Sequence, residues 1–124
     1  MSMGNSLAAV LAAGCLLEST NVVLVGRRID KEIRSEAQAG GRFLNVPILS
    51  LTQPICVRES TSATERKGVK ELRLAASSKK VFENMKALLN AKVDVEGTIS
   101  LVRAAQGPNV LLTVRAIQRR AARD

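Results

Sequence analysis

The sequence predicts an all-β domain with one helix: a small closed barrel of five strands, the helix lying between the third and fourth. A short extra helix is expected near the N-terminus. Three observations predict this. Val22 to Val25 is a continuous aliphatic run that ends at Gly26-Arg27. A charged stretch and the Ala39-Gly40-Gly41 turn signal follow it. Much later, Lys92 to Val102 alternates cleanly between apolar and polar residues, with Gly97 falling in the apolar series.

Residues 1–20 form an apolar N-terminal segment. Asn5 or Ser6 can cap a short helix carrying Leu7, Val10, Leu11 and Cys15 on one face, which Gly14 weakens. The segment lacks the early lysine of a secretory signal and the arginines of a mitochondrial presequence. From Asn21 the texture turns to β. Val22–Val25 reads as a strand covered on both sides, and Gly26 allows a bend or a close backbone approach. Ile29 to Arg34 is either a continuation of that strand or a connector. Phe43 to Leu51 is the second strand. Pro47 within it implies an edge or a bulge, and Pro54 marks its end or a sharp bend, after which Ile55-Cys56-Val57 resumes it.

Glu59 to Gly68 is polar and rich in Ser and Thr, and reads as a loop. Val69 to Ala76 is the third strand, with Leu72 and Leu74 on one face and Glu71 and Arg73 on the other. Ser77 or Ser78 caps a helix over Lys79 to Ala91, whose apolar face carries Val81, Phe82, Met85, Leu88 and Leu89. In the fourth strand Val93, Val95, Ile99 and Leu101 point inward and Asp94, Glu96, Thr98 and Ser100 outward. Gly97 sits where a closing barrel bends without a side chain. Gly107-Pro108 turns into the last strand, Val110 to Ile117. The barrel domain is thus 21–118, and 119–124 is a basic tail with Arg119, Arg120 and Arg123.

Composition narrows the function. The chain of 124 residues suits a single core. Its net charge of +8, mostly from arginine, favours polyanionic partners, nucleic acid first. An acidic protein surface would also satisfy that charge. There is no histidine for proton transfer near neutral pH. Cys15 and Cys56 are too few for a zinc cluster of the usual spacing, so no metal and no cofactor is implied. They read either as small buried thiols or as a disulfide. No apolar run approaches the roughly 20 residues of a membrane span, and no membrane partner is expected. Asp94 and Glu96 alternate outward as carboxylates do on any wet strand face. The residues point away from an enzyme.

Strand, strand, strand, helix, strand, strand is the order of the five-stranded OB-fold barrel. On that order, four segments resemble the single-stranded DNA-binding protein (SSB) family. NVVLVGRRIDKEIR from Asn21 resembles its opening strand, and Gly40-Gly41-Arg42 through FLNVPILSLT its second. LRLAASSKKVFENMKALLNAKVDVEGTISL resembles its third strand, helix and fourth strand, and NVLLTVRAIQ its closing strand. The resemblance covers Asn21 to Gln118. It implies binding of single strands, with bases stacked on aromatic side chains. This chain departs from that pattern: it has no Trp or Tyr, Phe82 is assigned to the buried helix face, and only Phe43 is left for stacking. The family's acidic C-terminal tip is replaced by RRAARD.

The function expected is therefore non-enzymatic binding of single-stranded nucleic acid, DNA ahead of RNA, mainly through charge. Arg27, Arg28, Arg34, Arg42, Arg73 and Arg115 are expected to track phosphates, with Arg66 and Lys67 on the loop and Phe43 as the stacking residue. Each arginine has a plainer reading as solvated charge beside Glu32, Glu36, Glu59 or Glu65. The alternative function is a structural OB-fold subunit of a ribonucleoprotein or RNA-processing complex, acting through protein contacts. A homo-oligomer, or a hetero-oligomer with other OB-fold subunits, is expected on either reading. The compartment is open between a bacterial or phage cytoplasm and the mitochondrial matrix.

Overall fold

Alternation of buried and exposed residues along each strand builds the barrel observed. The computed structural model describes residues 15–35, 42–59, 64–102 and 108–121. The helix expected after Asn5 or Ser6, the Gly40-Gly41 turn and the end of the basic tail lie outside the described residues. Among the described residues there are six strands: β1 (Leu16–Leu17), β2 (Asn21–Ser35), β3 (Arg42–Arg58), β4 (Glu65–Ala76), β5 (Lys92–Leu101) and β6 (Val110–Arg119). The helix α1 (Lys79–Ala87) falls between β4 and β5. The sheet runs β1-β3-β2-β5-β6-β4, and pairing of β3 with β4 closes it into a ring. All ring pairs are antiparallel except β4 with β6. This is the OB-fold topology, with β1 added as a short parallel neighbour of β3.

Val22, Leu24, Leu49, Leu72, Val93, Val95, Ile99, Leu112 and Val114 fill the interior, and each is buried. A fully buried side chain of this size is worth roughly 1.5–3 kcal/mol, so the interior alone outweighs any surface ion pair here. Gly26 and Gly97 let the barrel close. A Cβ at Gly26 would run into the Ser50 backbone carbonyl, and one at Gly97 into that of Thr113. Because the obstacle is backbone, it cannot swing aside. Gly97→Ala is expected to cost about 1–3 kcal/mol, read as a lowered midpoint in a urea titration with unchanged slope.

The strands run further than the sequence suggests. β2 continues through Ile29–Arg34, pairing with β3 to Ser35↔Arg42, whereas its ladder to β5 stops at Arg27↔Lys92. β3 meets β4 only from Ile48 onward. Residues 29–35 and 42–47 therefore form a two-stranded arm beyond the barrel. Pro47 lies on that arm, opposite Asp30 of β2 and just outside the β3–β4 ladder. At Pro54 the strand bends without ending: the β3–β4 register shifts between Ser50 and Ile55. β4 starts at Glu65, inside the stretch expected to be loop. Arg58 faces Glu65 there, with an ion pair of 2.7 Å. The Arg58 hydrogen bond holds the Glu65 carboxyl below its usual range; slight burial opposes this, and the nearby charges of Arg58 and Lys67 add to it. What the pair contributes is present at neutral pH and fades as pH falls through the carboxylate range.

α1 plugs one barrel end. Ser78 caps it, accepting a hydrogen bond from the Val81 N–H at 3.2 Å, and Val81 and Met85 are buried. The helix ends at Ala87, short of the expected Ala91, so Leu89 lies beyond it and is 43% exposed, and on the helix itself Phe82 is 47% exposed. A nine-residue helix over a narrow barrel end buries only its i, i+4 pair deeply. Phe82 instead lies beneath the Lys86 ammonium, 5.2 Å from the ring centre.

β1 was not legible as a strand. It buries Leu16 against the core. Just before it, Cys15 forms a disulfide with Cys56 of β3, with 4.4 Å between their Cα atoms. The two readings of the cysteines resolve in favour of the bridge.

Candidate nucleic-acid interface

Residues of β3, β4, the arm and the entry to β6 frame an open groove of roughly 830 Å³. Lys31, Glu32 and Ile33 form the arm wall, Arg66 to Glu71 the β4 wall, and Pro108, Asn109 and Val110 the third side. Ser50 and Leu51 lie at the floor. Leu51 and Val69 are half-buried and pack on the core, so the floor is partly apolar. Among the described residues, four cations (Lys31, Arg66, Lys67, Lys70) and two carboxylates (Glu32, Glu71) line it. Among the described residues the lining has no aromatic side chain.

Local geometry sets the cations. Gly68 adopts φ +66°, the left-handed region glycine enters freely. It lies at the register shift between Ile55 and Val57, so β4 bulges there. The bulge carries the exposed Lys67 at the groove wall. Lys70 is exposed one position beyond Val69. The Nε of Arg66 is buried without a hydrogen-bond partner among the described residues. Lys31 reaches across to Glu71, its Nζ donating to both carboxylate oxygens at 2.7 and 3.0 Å. That pair ties the arm to β4 and mutes one groove cation.

The residues expected to bind divide into groups. Arg66 and Lys67 come together in the groove. Arg73 sits at its inner margin, its Nε donating to the Pro108 carbonyl at 2.9 Å. Phe43 is 64% exposed near the end of the arm, and the register sets Arg34 opposite it and Ser35 opposite Arg42. The side chains of Arg34 and Arg42 lie outside what is described. Arg115 is exposed on β6, at the register shift beside Glu96 and Gly97. Arg27 is exposed on β2, donating to the Asn90 carbonyl at 2.7 Å.

Arg28 needs correction as a surface cation. It is 4% exposed, and its Nη1 donates to the Ile29 carbonyl at 2.6 Å and to Asp30 at 2.7 Å. Burial and a partner carboxylate leave it no outward face for a phosphate. Val22, Leu24, Gly26 and Arg28 form one inward series, so strict alternation was the signal that placed it. Lys31 and Lys70 are groove residues the sequence reading missed. Strict alternation assigns Lys70 to the face of Leu72 and Leu74, so its exposure follows from the bulge at Gly68 rather than from the strand pattern; Lys31 depends on the arm, which sequence left open.

Comparison with known proteins adds little. No protein-family model and no curated protein matches the chain. Among solved structures it is similar to a small single-stranded DNA-binding protein from Streptomyces coelicolor, at 15% identity and a TM-score of 0.46. The match covers 83% of this chain and 94% of that one. At that distance the likeness says nothing of what this chain binds.

Proposed function

We propose that this protein binds single-stranded nucleic acid, DNA ahead of RNA, without catalysing a reaction, and that the strand lies in the groove between the arm, β4 and the start of β6. One observation carries the reading: the groove with its apolar floor and cationic walls lies on the side of the barrel where OB-folds take up oligonucleotides. Arg66, Lys67 and Lys70 would meet phosphates while bases rest on Leu51 and Val69. With no aromatic in the groove, charge supplies most of the affinity, so sequence preference is weak and salt dependence steep. Phe43, with Arg34 and Arg42 on the same arm, would add one stacking position at its far end.

Anisotropy titrations of labelled oligo-dT, oligo-U and duplex DNA test this. The reading expects both single strands to bind more tightly than duplex; equal or weaker binding of single strands overturns it. Glu71→Gln should strengthen oligo-dT binding roughly two- to fivefold, because it removes a carboxylate and frees Lys31. Unchanged or weaker binding in the same titration would show that Lys31 does not meet the strand.

A second reading, a structural subunit of a ribonucleoprotein or RNA-processing assembly, draws on the arm itself. Phe43 and Leu44 are exposed there (64% and 46%), and the arm strands have open edges beyond the barrel ladders. Open edges favour pairing with another chain, so the arm would also serve oligomerisation. An oligomer that forms without nucleic acid and is lost on Phe43→Ser would support that role.

A further inference from the structure

The floor of the groove leads out of it. Ser50 on β3 is in register with Arg27 on β2, and Arg27 with Lys92 on β5. The carbonyl of Lys92 accepts the backbone N–H of Arg120, just past β6, at 2.8 Å. Residues paired in this way project from the same sheet face. Arg27, Lys92 and Arg120 are all exposed, so they form a row of three cations across neighbouring strands. At about 4.8 Å per strand the row spans about 10 Å. Arg27 spends one nitrogen on the Asn90 carbonyl, and Arg120 spends Nη1 on Asp94, at 2.7 Å each. Each guanidinium keeps further donors. Lys92 meets no carboxylate among the described residues.

We infer that a bound single strand continues from the groove past Ser50 and over Arg27, Lys92 and Arg120, so that the binding site crosses from β3 over β2 and β5 to the end of β6. The inference rests on the groove reading above. It adds a second phosphate-binding surface to it, made from β2, β5 and the end of β6 rather than β3 and β4.

The test compares labelled oligo-dT of about 6 and about 16 nucleotides, both within the roughly 4–16 nucleotides that OB-fold sites cover. Salt dependence is the readout, because a longer homopolymer gains affinity from extra binding registers alone. Three further phosphate contacts should steepen the log K against log salt slope by about 2 for the longer oligomer. Lys92→Glu combined with Arg120→Gln should remove most of that increment and leave the short oligomer's affinity and slope unchanged. The single Lys92→Gln variant, at an exposed position without a described partner, should lower the increment by about a third. An increment that survives both variants, or equal slopes for both lengths in the unmodified protein, overturns the extended path while the groove stands. Failure of the short oligomer to bind overturns the groove, and the path with it.

Discussion

Replacing Cys15 and Cys56 by serine should lower stability by about 4 kcal/mol, the largest effect expected of any substitution here. The bridge joins residues 41 apart, and chain-entropy arguments give about that value for a closed loop of this size. Backbone hydrogen bonds between residues 18–20 and both Arg58 and Ile99 hold the segment besides. β1 pairs with β3 over two residues, and its one deeply buried side chain is Leu16. The same loss should follow chemical reduction of the unmodified protein. Thermal melts with and without a dithiol reductant would show the midpoint falling by roughly 10 °C or more, with the double-serine variant already at the lower value. Equal midpoints, with thiol titration confirming reduction, would mean that the barrel does not depend on the bridge.

Reversing charge in the groove should have the largest effect on binding. Lys67 and Lys70 are exposed, lie on β4, and contribute nothing to the core. Lys67→Glu with Lys70→Glu should weaken oligo-dT binding by roughly ten- to a hundredfold at low salt. The slope of log K against log salt should become shallower by about 1.4, two single-strand phosphate contacts at about 0.7 each. The melting midpoint should barely move, because Lys67 is 4.0 Å from Glu65 and exposed pairs of that kind contribute little. Unchanged affinity would move the binding surface off the groove.

Much of the barrel was legible because its signals are local. Gly97 in the inward series, the alternation of β5 and the Ser78 cap each specify their own element, and their order gives the topology. What escaped depends on partners distant in sequence. β1 is too short to show a pattern and exists by pairing with β3. The arm continues a strand through charged residues, where periodicity carries no apolar signal. Phe82 and Leu89 sit on a plausible helical stripe, yet how much of it is buried depends on the width of the barrel end, which the helix sequence does not encode. The site shows the same division. Arg66 and Lys67 could be named as basic residues, but their convergence with Lys31 and Lys70 depends on the curvature of the arm over β4. Arg28 looked like its neighbour Arg27, and the pleat sends the two to opposite faces.

The central claim is that a single strand lies in the groove, and amide chemical-shift mapping with oligo-dT tests it most directly. On adding unlabelled oligo-dT to isotope-labelled protein, the largest shifts are expected at Ser50, Leu51, Lys67, Gly68, Lys70 and Asn109. Shifts absent from those amides, or confined to α1 and its exposed Phe82, would contradict the account.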